Sequence, residues 1–401
     1  MFKNFIIILF VSFIFCGCMP SEIKTNHQNN IVKQNMINRS LINIGNTYRI
    51  NKKYQSIKNG NNYTIAFIGS SAFIEDEQGN SVANIAYDKI KNLFGKKAKF
   101  DLINFSVNGT NSEFGNIMLN QEVLSKLPDL IFVDYAVFDG HEQDDRENFE
   151  ALIRSCLEQE NEPQVVIFIN SKSDSNQKQD FMEQIARYYN LPVINTSTAF
   201  LPEISAGRMN SNEIFYDNQI SDSGKEYIAD FCVNYFKNAV KNNKDKSYIT
   251  PPSMYTNLLV INPKLITARN LNSENDGSYI RTNINNKIFK NSIQYLSNTK
   301  NLPFIFILEA NNIYLIAPVS KDRHDVFEIL INGKKTKEFS NYSELSEKDI
   351  PKVFKVYSSN KVEKVAIAIQ LKENENETNI DNISNFEFWG VAYTKNELKN
   401  Y

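Results

Sequence analysis

Histidine is scarce in this 401-residue chain, which has three, at His27, His141 and His324. So widely separated, they form no metal-ligand cluster. The sequence also shows no calcium-loop spacing, phosphate loop or dinucleotide fingerprint. No metal and no cofactor is therefore expected. Cysteine is almost as sparse. Of the four present, Cys16 and Cys18 stand at the extreme N-terminus, leaving Cys156 and Cys232 for the folded part. Both fall on expected helices, where a disulfide and two buried thiols are equally open. An excess of charge of one sign is missing too. A formal net charge of -2 removes the electrostatic case for nucleic acid or for an anionic membrane face. The apolar run at residues 5–15 is too short to span a bilayer.

That run fits a signal peptide, with Lys3 as its positive flank. Phe15-Cys16-Gly17-Cys18 follows, and a small residue directly before a cysteine resembles the lipobox of bacterial lipoproteins. The resemblance implies cleavage after Gly17 and a lipid on Cys18; a plain signal peptide cut nearby is the other reading. Met19, rather than Asp, after the cysteine implies the outer membrane in a cell that has one. The expectation is an exported protein held in the cell envelope by an N-terminal lipid anchor.

At this length two folded domains are expected. Residues 1–18 are the signal peptide and lipobox. Residues 19–60 are polar and Asn-rich and read as a flexible tether, with one weakly amphipathic stretch at 31–44 suited to a short helix. From residue 61 to 243, short apolar β-rich runs (64–68, 100–105, 130–137, 165–169 and 192–195) alternate with helical segments (82–94, 113–124, 148–159, 177–189 and 224–240). This pattern implies an α/β domain whose parallel sheet is covered on both faces. Residues 241–253 are charged, then Pro-rich, and mark a boundary. Beyond it, strand-like runs and an Asn332-Gly333 hairpin turn imply an all-β, β-sandwich-like domain over 254–401.

In a parallel sheet the site forms at the carboxyl ends of the strands. After the first strand stands Gly69-Ser70-Ser71; after the second, Asn104-Phe105-Ser106-Val107-Asn108-Gly109; after the third, Asp134-Tyr135-Ala136-Val137-Phe138-Asp139. Before the last helix comes Asp217-Asn218-Gln219-Ile220-Ser221-Asp222-Ser223-Gly224. In order and placement these motifs resemble the SGNH (GDSL-type) hydrolase superfamily over residues 60–240. The resemblance implies a flavodoxin-like three-layer α/β/α domain and a serine esterase, lipase or carbohydrate O-acetyl hydrolase or transferase chemistry. It places Ser71 as nucleophile and first oxyanion donor, Gly109 as second oxyanion donor and Asp217 as the acid of the triad.

Two departures stand out. The third-motif asparagine is replaced by Phe138, which donates no hydrogen bond, although Asp139 is kept. Between Asp217 and Gly224 there is no histidine; Gln219 or Ile220 occupies its place. A serine hydroxyl without a base is a poor nucleophile. Losing the base from such a triad costs on the order of 10⁴–10⁶ in rate. His141, two residues after Asp139, is the candidate relocated base, against a plain solvated loop histidine. Ser71 itself fits a helix-capping role as well. The acidic run 139–147 reads as a solvated loop. Trp389, the only tryptophan, suits either a core position or an exposed sugar-stacking one.

Three functions remain open: a pseudoenzyme binding an envelope glycan or a protein partner; a divergent esterase or acyltransferase acting on acylated envelope polysaccharide or peptidoglycan; and a structural lipoprotein that binds through its β-domain.

Overall fold

The computed structural model describes residues 21–95, 98–171, 177–216, 219–255, 260–296, 300–372 and 386–396, without the side chains of 21–29, 177–179 and 216. The signal segment with Cys18, and Asp217, lie outside these residues.

The apolar runs of the first domain become strands β2 (Asn62–Gly69), β3 (Lys99–Ser106), β4 (Leu130–Asp134), β5 (Gln164–Ile169) and β6 (Val193–Asn195). They pair in parallel in the order β3-β2-β4-β5-β6. This is the flavodoxin-like order, whose switch point lies between the first and third strands. Alternate residues explain why both faces must be covered. Ile65, Phe67, Leu130 and Phe132 join a core beneath α3 (Val82–Asn92) and α8 (Asp222–Lys241). Ala66, Ile68, Ile131 and Val133 join a second core beneath α5 (Gln143–Leu157) and α6 (Gln177–Tyr188). Cys156 and Cys232 are free, buried thiols on these opposite faces, which closes the disulfide alternative.

The expected tether is not one. Residues 21–58 hold α1 (Ser21–Ser40), β1 (Leu41–Asn43) and α2 (Tyr48–Lys58). β1 pairs antiparallel with β6 as the sixth strand of the sheet. Met36, Ile50 and Ile57 are buried in the first core. The guanidinium of Arg39 bonds Glu203 on α7 (Thr196–Ser205), and that of Arg49 donates to Leu157 O at 2.9 Å. Few apolar anchors and specific polar ones hold this segment, so its composition resembles that of a linker. Likewise, the acidic run is not all loop: from Gln143 it is the first turn of α5.

Residues 242–255 run back over the first domain as a strap. Pro251 O accepts from Arg154 Nη1 at 2.8 Å, and the wholly buried Glu150 accepts the N–H groups of Met254 and Tyr255 at 2.5 and 2.9 Å.

The second domain packs a six-stranded antiparallel sheet, in the order Lys334–Ser340 (β14), Val326–Ile331 (β13), Ile350–Leu371 (β15), Phe304–Val319 (β12), Gly390–Thr394 (β17) and Lys264–Thr267 (β9), against a three-stranded one of Tyr279–Asn283 (β10), Asn291–Tyr295 (β11) and Glu387–Phe388 (β16). Its long strands β12 (Phe304–Val319) and β15 (Ile350–Leu371) each fuse two of the expected runs. Asn332 and Gly333 have φ of 49° and 80°, as a type I′ hairpin turn demands. Trp389 is 2% exposed. It packs on Phe289 within a cluster that also takes Phe114 and Ile117 from α4 (Ser112–Glu122), so it belongs to the seam between domains rather than to a sugar-stacking surface.

Candidate functional site

The switch point gathers the chemistry. β2 ends at Gly69 because the chain there runs against β4: a Cβ on Gly69 would lie 2.5 Å from Asp134 O, and Ser70 N–H donates to that carbonyl at 3.0 Å. This contact fixes the turn that presents Ser71. Asn104 of β3 holds the next residues, its Nδ2 donating to Phe73 O at 2.9 Å.

Ser71 Oγ donates to Asp134 Oδ2 at 2.7 Å and accepts from Asn170 Nδ2 at 3.1 Å. Asp134 closes β4; Asn170 follows β5 directly. The same Oδ2 accepts Ala72 N–H at 2.7 Å. Oδ1 has no partner in hydrogen-bond geometry. Asp134 is fully buried near Phe73, which packs on Phe67 and Phe168. Burial pushes its pKa up to about 6, against the pull of these donors.

Above Ser71 opens a cavity of about 820 Å³. Its lining mixes apolar Ala136, Phe138 and Ile220 with charged Glu75, Asp76, Glu77 and Lys225. Lys225 Nζ bonds Asp76 Oδ2 at 2.5 Å and Asp222 Oδ1 at 3.1 Å, which pins the 74–78 loop to the start of α8 and keeps the ammonium charged.

The structure treats the expected site residues unequally. Ser71 lies at the cavity, and Phe138 lines it where the donor asparagine was expected. Gln219 and Ile220 also line it, and no histidine does among the described residues. Gly109 does not line the cavity; its neighbour Asn108 does. Gly109 is glycine because its φ is +74° and a Cβ would meet Ile350 Cδ1 of the second domain at 2.6 Å. His141 is not brought to Ser71. Its imidazole is exposed, 3.7 Å from Glu142, and the relocated-base reading fails on that placement. Asp139 is fully buried and accepts Ser112 N–H at 2.6 Å, tying the third motif to the start of α4. Burial raises its pKa well above the usual carboxylate range.

Sequence reading missed Asp134, Asn170 and Lys225 as site residues. The first two each stand at the end of an apolar run, which was the available signal. Lys225 carried none. Among the described residues no group of three or more His, Cys, Asp or Glu side chains is placed to hold a metal ion, and no helix is long and apolar enough to cross a membrane.

With this geometry in hand, the chain was compared with known proteins. A two-domain esterase active on acetylated mannans, co-crystallised with mannopentaose, superposes with a TM-score of 0.77 and 22% identity, covering 91% of this chain and 99% of that one. A second structure of a two-domain esterase active on acetylated mannans gives 0.76 and 21% identity, covering 90% and 99%. The fold is that of an SGNH-type hydrolase joined to a β-domain. The shared coverage takes in both domains. No family model matches the sequence, and no curated protein matches it at a significant level.

Proposed function

We propose that this protein binds acylated glycan in the cavity above Ser71 without turning it over. The observation that carries this reading is the hydrogen bond from Ser71 Oγ to the buried Asp134, at a cavity whose described lining offers no imidazole. The likeness to a two-domain esterase active on acetylated mannans supports a glycan ligand. The signal-like N-terminus and Cys18 support a lipid anchor in the cell envelope, in which case the ligand is an envelope or captured polysaccharide.

Hydrolysis by Ser71 is the second reading, and the same hydrogen bond is what favours it, because a carboxylate is a base. Its burial weighs against it. A general base in acyl transfer takes the serine proton and then hands it to the leaving oxygen. Asp134 is 0% exposed, beneath Ser71, and is screened from a leaving group in the cavity. The N–H of Ala72, bonded to Asp134 Oδ2, is also turned from an oxyanion.

Titration calorimetry of the full chain with O-acetylated manno- and xylo-oligosaccharides tests the proposal. Saturable binding with the ligand recovered fully acetylated is expected; recovery of deacetylated product would favour the second reading.

A further inference from the structure

We propose that Asn170 is the residue that reads the acyl group, its side-chain amide donating to the carbonyl oxygen of a neutral acyl ester carried by the glycan. The inference rests on the glycan-binding reading above and names the part of the ligand that is recognised.

A carbonyl oxygen entering beside Ser71 needs a donor that the protein has not already paired. Phe138 supplies none. The N–H of Ala72 is taken by Asp134. Gly109 lies off the cavity, packed on Ile350. Asn170 remains. Its side-chain nitrogen carries two hydrogens. One goes to Ser71 Oγ at 3.1 Å; the other has no acceptor among the described residues. The Thr196 hydroxyl, whose single hydrogen is shared between Ser171 O at 3.0 Å and Asn170 Oδ1 at 3.3 Å, lies on the oxygen side of the amide. Asn170 is 7% exposed yet lines the cavity, so the free N–H is recessed, where an unmade hydrogen bond is costly.

The surroundings select the acceptor. Asp134 lies just beneath, and Glu75, Asp76 and Glu77 stand on the wall, with Lys225 already paired. A carboxylate or phosphate entering here meets like charge; a neutral carbonyl oxygen does not. Ala136, Phe138 and Ile220 line the same cavity and suit a methyl group. A small uncharged acyl ester fits both the polar and the apolar requirement, which a bare sugar hydroxyl does not.

The test compares O-acetylated mannopentaose with mannopentaose on the full chain, unsubstituted and as Asn170→Ala. The acetylated form is expected to bind on the order of 10-fold more tightly to the unsubstituted protein, from one hydrogen bond and a buried methyl. In Asn170→Ala that preference falls to about twofold or less, with affinity for mannopentaose itself little changed. Equal binding of the two forms by the unsubstituted protein overturns the inference and leaves the glycan reading standing. A preference that survives in Asn170→Ala also overturns it. Binding of neither form overturns both. An infrared measurement needs no variant: with a ¹³C-labelled acetyl group, the carbonyl stretch is expected to move to lower frequency on binding, and an unshifted band overturns the inference even where Asn170→Ala fails to fold.

Discussion

Asp134 decides what Ser71 can do. It holds the serine hydroxyl, the Ala72 N–H and, through Gly69, the shape of the turn. It also leaves a signature in stability. Its folded pKa is raised from 3.8 to about 6, so the folded state binds this proton more tightly than the unfolded chain. The group's contribution is therefore fully present below about pH 4 and is lost as pH rises through about 6, a change of at most about 3 kcal/mol. Urea unfolding at pH 4 and pH 7 is expected to show that loss in the unsubstituted protein and a flatter profile in Asp134→Asn, whatever uniform cost the substitution carries. Equal pH profiles would place the titration elsewhere. At this scale the places of Ser71 and Phe138 beside the cavity were readable from motif order, because each follows the end of a strand. Asp134 and Asn170 were not given roles, because their function depends on which strands are neighbours, and a single run of sequence does not state that.

Among the elements, the parallel strands were legible because burial on both faces makes them continuous apolar runs. Residues 21–58 were not: α1 and α2 bury few apolar residues and are fixed by polar contacts such as Arg39 to Glu203 and Arg49 to Leu157 O. In the second domain, β12 and β15 were read as separate runs because irregular pairing near Ala310 and Asn312 interrupts their pattern. The loop carrying Gly109 gives a direct test of how the two domains meet. Gly109→Ala puts a Cβ into a left-handed backbone and onto Ile350 Cδ1. A loss of about 2 kcal/mol or more is expected from strain and overlap together. Ile350→Val removes the clashing atom, so the double variant should be more stable than the sum of the two single effects predicts, by at least about 0.5 kcal/mol. Strict additivity in a double-mutant cycle would show that the two residues do not touch.

The whole molecule is held as one body by the 242–255 strap and by the seam around Trp389, where Phe114 and Ile117 meet Phe289 and Tyr314. Glu150 anchors the strap. Glu150→Ala leaves the N–H groups of Met254 and Tyr255 without their acceptor, and a loss of about 2–4 kcal/mol is expected, with new proteolytic cleavage within 242–255. Resistance equal to that of the unsubstituted protein would mean the strap is held by other contacts. Tight coupling of the β-domain to the α/β domain holds α4 and the loop carrying Gly109 in place, and the cavity above Ser71 is proposed to bind acylated glycan without turning it over. Acetate release from O-acetylated mannopentaose, followed for the full chain beside Ser71→Ala, tests that central claim most directly. The account predicts two indistinguishable rates at the level of spontaneous hydrolysis; release that depends on Ser71 would contradict it and make Asp134 the base of a working esterase.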